Sequence, residues 1–366
     1  MQGIDVEVFR YGMESPDDVS GMAELIESGK LKVNELKAII AQTEGDVYAR
    51  GYATLKYQDL LSGPMGISKE EVFKQVPMLM IGLTAGLMSP HSVAFTTKKV
   101  EIESPGEKRL AVGVVTTRDL KPEEYGLETE VDLVVEAVQQ AMKDAFIESV
   151  ADVHCVSIKL PAMTAARVAD AQNRGQTLYT TNPLEASNRA KGACALGVAV
   201  ALGEVDRKKV TNEAINRDFD LYSSVATTSA GNEQTGCRVV VMGNSTRSVS
   251  KHYIASGVMK DSLDLPSAKA TIKAAGLKIN DQLNDIEKKK LTAVFINAGA
   301  NALPHTRGRR HTMMSDFLSG YAGIIAKAVA NSVVGALVGD AMVLASAGWE
   351  HQGPRGSSLI AVIAEK

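Results

Sequence analysis

The chain has 366 residues, of which 45% are hydrophobic and 23% charged, and both fractions are ordinary for a soluble globular protein with a sizeable core. A formal net charge of −3 and an aromatic content of 5% give no reason to expect nucleic acid as a partner. The longest apolar stretch, 324–344, carries Lys327, Asn331 and Asp340, and no charged-then-apolar signal segment opens the chain. We therefore expect a cytoplasmic protein with no membrane partner.

In chain order, the predicted elements occur three times in the same arrangement. Each copy has an opening strand and turn, an apolar run, a segment with a cation in its second position, and a short run that ends in a small, mostly Gly-containing turn. These segments lie at 6–18, 36–45, 49–55 and 78–86, then at 110–122, 153–162, 190–196 and 222–231, and then at 253–266, 293–302, 326–332 and 342–350. The shared order predicts three copies of one unit.

Hydrophobic periodicity predicts the regular elements inside these units. Apolar residues three and four apart predict an amphipathic helix over 130–148, and Ala, Gly and Val predict closely packed helices over 193–202 and 324–338. Short β-rich runs bounded by Gly, Asn or charged residues predict strands at 110–117, 237–244 and 357–365. Each unit is thus expected to be α+β, in the order strand, helix, strand, helix, strand, strand.

Polar, turn-rich segments at 103–109 and 244–251 divide the chain where the repeats also divide it. The predicted units are therefore 1–104, 108–246 and 250–366. Because no flexible linker separates them, we expect three similar repeats packed as one body around a pseudo-threefold axis, with a central active-site pocket.

The aligned positions differ chemically between the units. They are Gln42, Arg50 and Ile81 in the first unit, Lys159, Lys191 and Ser229 in the second, and Asn297, Lys327 and Ser346 in the third. Only the middle unit has both a lysine in the apolar run and a serine in the last run. We call the aligned residues of each unit a corner of the site. The pattern predicts one reactive corner, in the middle unit, with the other two corners used for binding.

Lys159 and Ser229 suit nucleophilic catalysis. A serine hydroxyl attacks well only when a neighbouring base takes its proton, and a lysine can be that base if burial or a nearby cation lowers its pKa. Lys159 lies on an apolar run, and Lys191 and Arg50 would supply the charge if the corners converge. Ser229 is expected in a turn with Ala230, where backbone N–H groups can face a developing oxyanion. Ser346 has no lysine partner in its own unit and is expected to bond a substrate carbonyl.

Other candidates have plainer interpretations. Cys155, Cys194 and Cys237 lack CxxC spacing, which favours buried reduced thiols over a metal site or a nucleophile. The basic segment 307–311 favours a structural or anion-binding turn. The histidines form no HxxxH or HxH pair, so structural roles are expected for His91, His311 and His351. The segment 350–354 suits either a tight turn or a carbonyl-lined cation site.

Several strings, taken together, resemble the ring-opening amidohydrolase family of cyanuric acid amidohydrolase and barbiturase. They are GLMSPH at Gly86, IKLP at Ile158, KGACALGVAVALGE at Lys191, RDFDLYSSVATTSAG at Arg217, VMGNS at Val241, RGRRHTMM at Arg307 and EHQGP at Glu350. The strings keep the family's order and run nearly from end to end.

The resemblance implies three repeats around a central pocket, each contributing a Lys, an Arg and a Ser that grip a small flat heterocycle. It also implies that Lys159 is the base and that Ser229 attacks a ring carbonyl, opening the ring through an acyl-enzyme that water resolves. The expected substrate-binding residues are Arg50, Lys191, Lys327, Ser346, Ile81, Gln42, Asn297, Gly82, Ala230 and Ala347. A small cyclic amide or imide is the expected partner, and a homo-oligomer is the expected assembly.

The chain departs from the family pattern at several corner positions. Gln42 and Asn297 stand where the family has Lys, Ile81 where it has Ser, and Lys191 and Lys327 where it has Arg. Lysine is a poorer bidentate clamp than arginine, and Ile81 makes one corner apolar. The departures favour a less symmetric ring with an apolar edge.

A further departure concerns metal binding, because Gly299 stands where the family has an acidic ligand. A family-type cation near 350–354 is thus not favoured, and we expect no cofactor.

Two other functions fit the same residues. One is the reverse chemistry, closure of a lactam or imide from an open-chain acid derivative, if water is kept from the acyl-enzyme. The other is a small-molecule binding protein that has lost catalysis, although the complete Lys159 and Ser229 pair argues against it. An adduct on Ser229 would separate binding from catalysis, and product analysis would give the direction.

Overall fold

The structure is a computed structural model that describes residues 1–45, 47–299, 303–313 and 322–366. The end of the predicted apolar run, 300–302, and Met314 of the RGRRHTMM string lie outside the described residues.

The first part of the chain forms a four-stranded sheet covered by helices. Its strand order is β1-β4-β2-β3, in which β4 is antiparallel to both of its neighbours and β2 is parallel to β3. A short 3₁₀ turn spans Val33–Glu35. The helices and strands are β1 (Gln2–Gly12), α1 (Ser20–Glu27), β2 (Leu36–Gln42), α2 (Val47–Met65), α3 (Lys69–Gln75), β3 (Met78–Ile81) and β4 (His91–Glu101).

The middle part repeats this arrangement with the strand order β5-β8-β6-β7. Three 3₁₀ turns lie at Pro122–Glu124, Val150–Asp152 and Arg207–Lys209. The helices and strands are β5 (Arg109–Thr116), α4 (Glu128–Asp144), β6 (Val153–Pro161), α5 (Ala165–Asn173), α6 (Pro183–Ala201), β7 (Ala226–Gly231) and β8 (Arg238–Ser245).

The last part has the same sheet again, read from its other edge as β9-β14-β10-β13. The helices and strands are β9 (His252–Met259), α7 (Leu265–Ala274), α8 (Asp285–Lys290), β10 (Leu291–Ala298), β11 (His305–Thr306), β12 (Arg309–Arg310), α9 (Ala322–Val338), β13 (Leu344–Ala347) and β14 (Ser358–Glu365).

The three sheets share strand order and register, which confirms the predicted alignment of the repeats. Each sheet contains one parallel pair of strands, which is β2 with β3, β6 with β7, or β10 with β13. The aligned residues are direct partners in these pairs. The partners are Gln42 and Ile81, Lys159 and Ser229, and Asn297 and Ser346.

Side-chain alternation along the strands places a core between the sheets. In β2, Ala38 and Ile40 join a large apolar cluster that contains residues of all three sheets, whereas Ile39 and Ala41 face the helices of their own repeat. The ring of Phe95 stacks on that of Phe295 at 6.5 Å, which ties the first and third sheets together inside the shared cluster. Strand β2 thus has one face toward the other repeats and the opposite face toward its own helices.

Two helix boundaries differ from the predicted ones by more than two residues. Helix α4 ends at Asp144 rather than 148, because Phe146 adopts a left-handed backbone conformation with φ 54° that a helix cannot continue. Helix α6 begins ten residues before the predicted 193. Asn182 caps it by accepting from the backbone N–H groups of Leu184 and Glu185, and Pro183 occupies the first turn.

Two of the predicted Gly-containing turns are strand residues instead. β7 continues through Ser229 to Gly231, and β13 continues through Ser346 to Ala347. Only the first copy leaves its sheet at the predicted point, after Ile81. The strand conformation persists because residues 229–231 pair with residues 159–161 of β6.

The basic segment 307–311 belongs to a small hairpin. β11 and β12 pair antiparallel around Arg307 and Gly308, whose φ values of 52° and 77° suit a tight two-residue turn. The Arg307 guanidinium lies 2.8 Å from the Asp261 carboxylate. The predicted structural turn is confirmed, and its first arginine already has an anionic partner.

Among the described residues, no helix combines the length and the apolar character needed to cross a membrane.

Gly113 provides a test of how closely α4 packs on β5. A Cβ added at Gly113 would lie 1.8 Å from the carbonyl oxygen of Ala141, so backbone would have to move. We expect Gly113→Ala to lower the free energy of unfolding by about 1–3 kcal/mol, measured by denaturant titration. Gly106→Ala is the matched control, because a Cβ there would meet nothing within 4 Å. Equal stability of the two variants would contradict this account of the packing.

Candidate active site

Lys159 and Ser229 meet because their strands are parallel neighbours in register. The Lys159 Nζ lies 3.0 Å from the Ser229 Oγ, within the range required of a nucleophile and its base. Lys159 is fully buried, whereas Ser229 is half-buried. The sequence separation of the two residues gave no indication of this contact, but the repeat alignment did.

The Lys159 amine has further partners from two repeats. Its Nζ donates to the carbonyl oxygen of Met80 at 2.7 Å and to that of Ala230 at 3.4 Å. The nearest Glu233 carboxylate oxygen lies 3.8 Å away. Met80 belongs to the first sheet, so the middle lysine reaches across a repeat boundary.

The electrostatics at Lys159 lower its pKa toward neutral pH. Burial lowers the pKa of Lys159 to about 7, the Glu233 carboxylate opposes this shift, and the cations Arg50 and Lys327 add to it. Lys191, which the sequence suggested as a nearby charge, is not among these influences.

Glu233 is a site residue that the sequence analysis missed. Burial acts to raise the pKa of this carboxyl group, but Lys159, a backbone N–H and Arg50 outweigh burial and lower the pKa below its ordinary value. A Cβ added at Gly231 would lie 2.2 Å from the Glu233 Oε1, so the carboxylate folds back over this glycine. The signal in the sequence was an acidic residue four positions after Ser229.

The corners of the site are shared between repeats in a cyclic manner. Arg50 of the first repeat donates from Nη1 to the carbonyl oxygen of Ala230, directly after Ser229, at 3.2 Å. Lys327 of the third repeat donates to the carbonyl oxygen of Gly82, directly after Ile81, at 2.7 Å. The sequence analysis had grouped each cation with its own unit, and the structure corrects this, because the helix of one repeat delivers its cation to the sheet of another.

Lys191 of the second repeat completes the pattern by reaching the third. Its Nζ lies 2.7 Å from the Glu350 Oε1, four residues after Ser346. The expected contribution of Lys191 to the pKa of Lys159 is therefore corrected, since Glu350 balances its charge.

Lys327 resembles Lys159 in its environment. It is 5% exposed, and burial, together with Arg50 and Lys191, lowers its pKa to about 7. The backbone at Gly82 lies close to both Arg50 and Lys327. A Cβ added at Gly82 would lie 3.1 Å from the Arg50 side chain, and the Gly82 carbonyl oxygen accepts a hydrogen bond from Lys327.

The predicted binding residues Gln42 and Asn297 mainly bond the backbone. Gln42 is fully buried, donates from Nε2 to the Ile81 carbonyl at 3.1 Å and accepts from the Ala345 N–H at 2.7 Å. Asn297 donates to the Gly348 carbonyl at 3.1 Å. Gln42 therefore joins the first repeat to the third, as Lys159 joins the second to the first.

The remaining predicted residues differ in accessibility. Ile81 is 7% exposed and belongs to the shared core, and Ser346 is 4% exposed. Ala347 is half-buried beside it. Leu83 is 40% exposed and adopts a left-handed conformation with φ 57°, which is strained for a leucine.

The residues near Glu350 do not fit a family-type cation. One Glu350 oxygen bonds Lys191, and the other accepts from the Trp349 N–H at 3.0 Å and the Gln352 amide at 3.2 Å. A Cβ at Gly299 would lie 1.9 Å from the Ser357 carbonyl oxygen, so the backbone leaves no room for an acidic ligand there. The carboxylate is committed to protein groups.

His351 has a structural role, as expected. Its Nδ1 lies 2.6 Å from the Leu221 carbonyl oxygen, and its Nε2 accepts from the Asn216 N–H at 2.7 Å. Both ring nitrogens are thus used, and burial lowers its pKa. His91 similarly bonds the Ser89 carbonyl, and His311 bonds the Leu303 carbonyl.

A cavity of about 1030 Å³ lies away from Lys159, between the first sheet and α4. Lys37, Lys99, Lys143 and Arg247 contribute to its lining, which contains no serine, cysteine or histidine. This cavity offers no nucleophile and base in contact. We therefore locate the candidate active site at Lys159 and Ser229.

Comparisons with known proteins identify the family of the chain. The family model described as amidohydrolase ring-opening protein matches residues 7–365. A cyanuric acid amidohydrolase of Enterobacter cloacae is 39% identical over 99% of both chains, and a cyclic amide hydrolase of Azorhizobium caulinodans is 40% identical over 98% of this chain and 99% of its own.

Solved structures give the same result. A cyanuric acid hydrolase described as an innovation by structural concatenation superposes with a TM-score of 0.93 at 36% identity, covering 100% of both chains. The cyanuric acid hydrolase of A. caulinodans gives 0.88 at 35% identity over 99% of both. These matches define the protein as an amidohydrolase. The chain belongs to the ring-opening amidohydrolase family.

Proposed function

We propose that the protein opens a cyclic amide or imide by nucleophilic catalysis at Ser229, with Lys159 as the base. The observation that carries this proposal is the 3.0 Å contact between a half-buried hydroxyl and a fully buried amine. A pKa of about 7 leaves a substantial neutral fraction of Lys159 at neutral pH.

The contacts of Lys159 suit a base that points at one hydroxyl. A neutral amine has two N–H donors and one lone pair. If the donors bond the carbonyl oxygens of Met80 and Ala230, the lone pair faces the Ser229 hydroxyl. The two backbone carbonyls would thus hold the amine in the orientation that proton removal requires.

The proposed reaction has two stages. In the first, Lys159 takes the Ser229 proton, Oγ attacks a ring carbonyl carbon, and the ring C–N bond breaks as the ring nitrogen takes the proton from Lys159. In the second, Lys159 takes a proton from water, the hydroxide attacks the acyl carbon, and Ser229 leaves with that proton. The net result is addition of one water molecule across the C–N bond.

The cations are proposed to hold the substrate's carbonyl oxygens. Arg50 lies beside the Ser229 corner and Lys327 beside the Ile81 corner, while Lys191 and Ser346 belong to the third corner. Because Glu350 balances Lys191, the third corner attracts an oxyanion less strongly than the Arg50 corner does. Negative charge should therefore develop next to Arg50 and Ser229.

The function itself is tested with a panel of cyclic ureides, imides and lactams. Ring opening is followed by mass analysis of the products, and the intact protein is examined for an acyl adduct on Ser229. We expect ring-opened product with at least one compound, and an adduct that Ser229→Ala lacks. Product without Ser229, or an adduct elsewhere, would contradict the proposal.

The apolar corner at Ile81 should determine which substrates the protein prefers. Ile81 offers no hydroxyl, so a carbonyl buried there loses a hydrogen bond, and Leu83 beside it exposes apolar surface. We expect weak activity on cyanuric acid and better kcat/KM on rings with carbon substitution on one edge. Ile81→Ser should shift this ratio toward cyanuric acid by about 5- to 150-fold, equivalent to about 1–3 kcal/mol.

The comparison uses kcat/KM on cyanuric acid, barbituric acid and carbon-substituted imides. Ile81→Val is the control, because it keeps the corner apolar and should keep the ranking. A native preference for cyanuric acid, or an unchanged ranking in Ile81→Ser, would refute the asymmetric pocket.

A further inference from the structure

Three potential metal ligands meet in the interior of the second repeat, apart from the proposed active site. Glu130 lies on α4, Cys194 on α6, and Cys237 directly before β8. All three are fully buried. The Cys194 Sγ lies 3.4 Å from the Glu130 Oε1 and 3.7 Å from the Cys237 Sγ, and the Cys237 Sγ lies 3.7 Å from the same Glu130 oxygen. One oxygen and two sulfurs thus form a nearly equilateral triangle.

The Glu130 carboxyl group is held in place but has no cationic partner. Its Oε2 accepts from the Gly126 N–H at 2.6 Å, which aims Oε1 at the two sulfurs. No lysine, arginine or histidine in the part of the chain that the structure describes is among the groups that shift its pKa. A buried carboxylate is costly unless a cation balances it.

The triangle has the dimensions of one face of a zinc site. Bond lengths of about 2.3 Å to sulfur and 2.0 Å to oxygen at tetrahedral angles place two sulfurs about 3.8 Å apart, and a sulfur and an oxygen about 3.5 Å apart. The observed separations are 3.7 Å for the two sulfurs and 3.4 and 3.7 Å for the sulfur and oxygen pairs. We propose that Glu130, Cys194 and Cys237 bind a divalent zinc ion.

Such an ion would connect three elements of the second repeat. It would fix α4 and α6 to the start of β8, and β8 pairs with β6, which carries Lys159. Helix α6 also carries Lys191, three residues before Cys194. The ion would lie apart from the proposed ring-opening site, because its ligands are buried and make no described hydrogen bond to Ser229 or Lys159. A water molecule would complete the tetrahedron.

The competing state of the same triangle is metal-free. Burial raises the pKa of Glu130 to about 7 and raises that of the Cys194 thiol well above its ordinary value. A neutral carboxyl and two thiols would then hold one another through hydrogen bonds. The two states differ in metal content and spectrum, which makes them separable.

The test uses the full-length, untagged protein, freed of metal by a chelator and titrated with Co²⁺ as a spectroscopic substitute for zinc. We expect a thiolate-to-cobalt charge-transfer band that saturates at one equivalent and disappears when Zn²⁺ is added. Cys194→Ser and Cys237→Ser should each abolish the band, and Glu130→Gln should weaken binding by about 10-fold or more. Zinc should also raise the Tm of the chelator-treated native protein.

Cys155→Ser is the matched control, because Cys155 is equally buried but its sulfur contacts Ser157 rather than the triangle. It should keep the band. Circular dichroism checks that each variant is folded, and Cys194→Ala with Cys237→Ala provides an apolar replacement that avoids buried hydroxyls. A folded native protein with no charge-transfer band and no bound zinc would overturn the proposal. So would a band that Cys155→Ser loses, or a Cys194 to Cys237 disulfide in the native protein.

Discussion

Replacing Ser229 by Ala, or Lys159 by Met, should lower kcat by about a thousandfold or more. Each change removes one member of the proposed nucleophile and base pair, whose atoms lie 3.0 Å apart, so each leaves the other member without a function. For the same reason, the double variant should lose little more than either single one. Steady-state kinetics on a compound that the native protein opens would measure the three effects.

Ser346→Ala is the matched control for this prediction. Ser346 occupies the equivalent place in the third sheet, but its strand partner is Asn297, which cannot act as a base. We expect KM to rise while kcat changes by less than about tenfold. Equal losses of kcat at Ser229 and Ser346 would refute the division of labour between the corners. Circular dichroism and Tm values would exclude unfolding as the cause.

Glu233→Gln should move the acidic limb of the kcat/KM profile to lower pH by about 1–3 units. In the native protein, activity should rise with pH as Lys159 loses its proton, and level off above a pKa of about 7. The Glu233 carboxylate favours the ammonium form and so raises this pKa. Removing that charge makes proton loss easier, so the neutral base is present at lower pH.

Lys327→Met should move the acidic limb of the kcat/KM profile to higher pH. The Lys327 ammonium disfavours a second positive charge on Lys159, and its removal raises the pKa of Lys159. The shift should be smaller than that in Glu233→Gln, because Lys327 itself has a pKa of about 7 and is only partly charged where the limb lies. Losses of activity with no movement of the limb, or shifts of the same sign in both variants, would contradict the assignment of Lys159 as the titrating base.

Much of the fold could be predicted from the sequence because the repeat supplies internal comparisons. The alignment of Gln42, Lys159 and Asn297 needed no long-range information, and the strand registers confirm it. The same alignment singled out Lys159 and Ser229 as the lysine and serine of one unit, but it placed Ser229 in a turn, and their contact depends on the parallel pairing of β6 and β7.

The sharing of corners between repeats could not be predicted in this way. An alignment says which residues are equivalent but not which neighbouring repeat each side chain reaches. Arg50 contacts Ala230 and Lys191 contacts Glu350 because of how the three bodies pack. For the same reason Lys191 was wrongly expected to act on Lys159.

Two groups of residues escaped the sequence analysis for a different reason. Glu233 was overlooked although Glu350 stands four residues after Ser346, as Glu233 does after Ser229, because its approach to Lys159 depends on the absence of a side chain at Gly231. Cys194 and Cys237 lack a metal-binding spacing in the sequence, yet α4 and α6 pack so that both sulfurs meet Glu130. Only tertiary packing brings these three side chains together.

The cyclic sharing of corners has a consequence for how such a site can change. In a ring of three identical chains, any substitution would appear in every corner, so losing one hydroxyl would mean losing the nucleophile as well. Here the three corners are separate stretches of a single chain, and Ile81 can replace a hydroxyl at one corner while Ser229 keeps its own. Three similar repeats in a single chain can thus alter substrate specificity at one corner without changing the reaction at another.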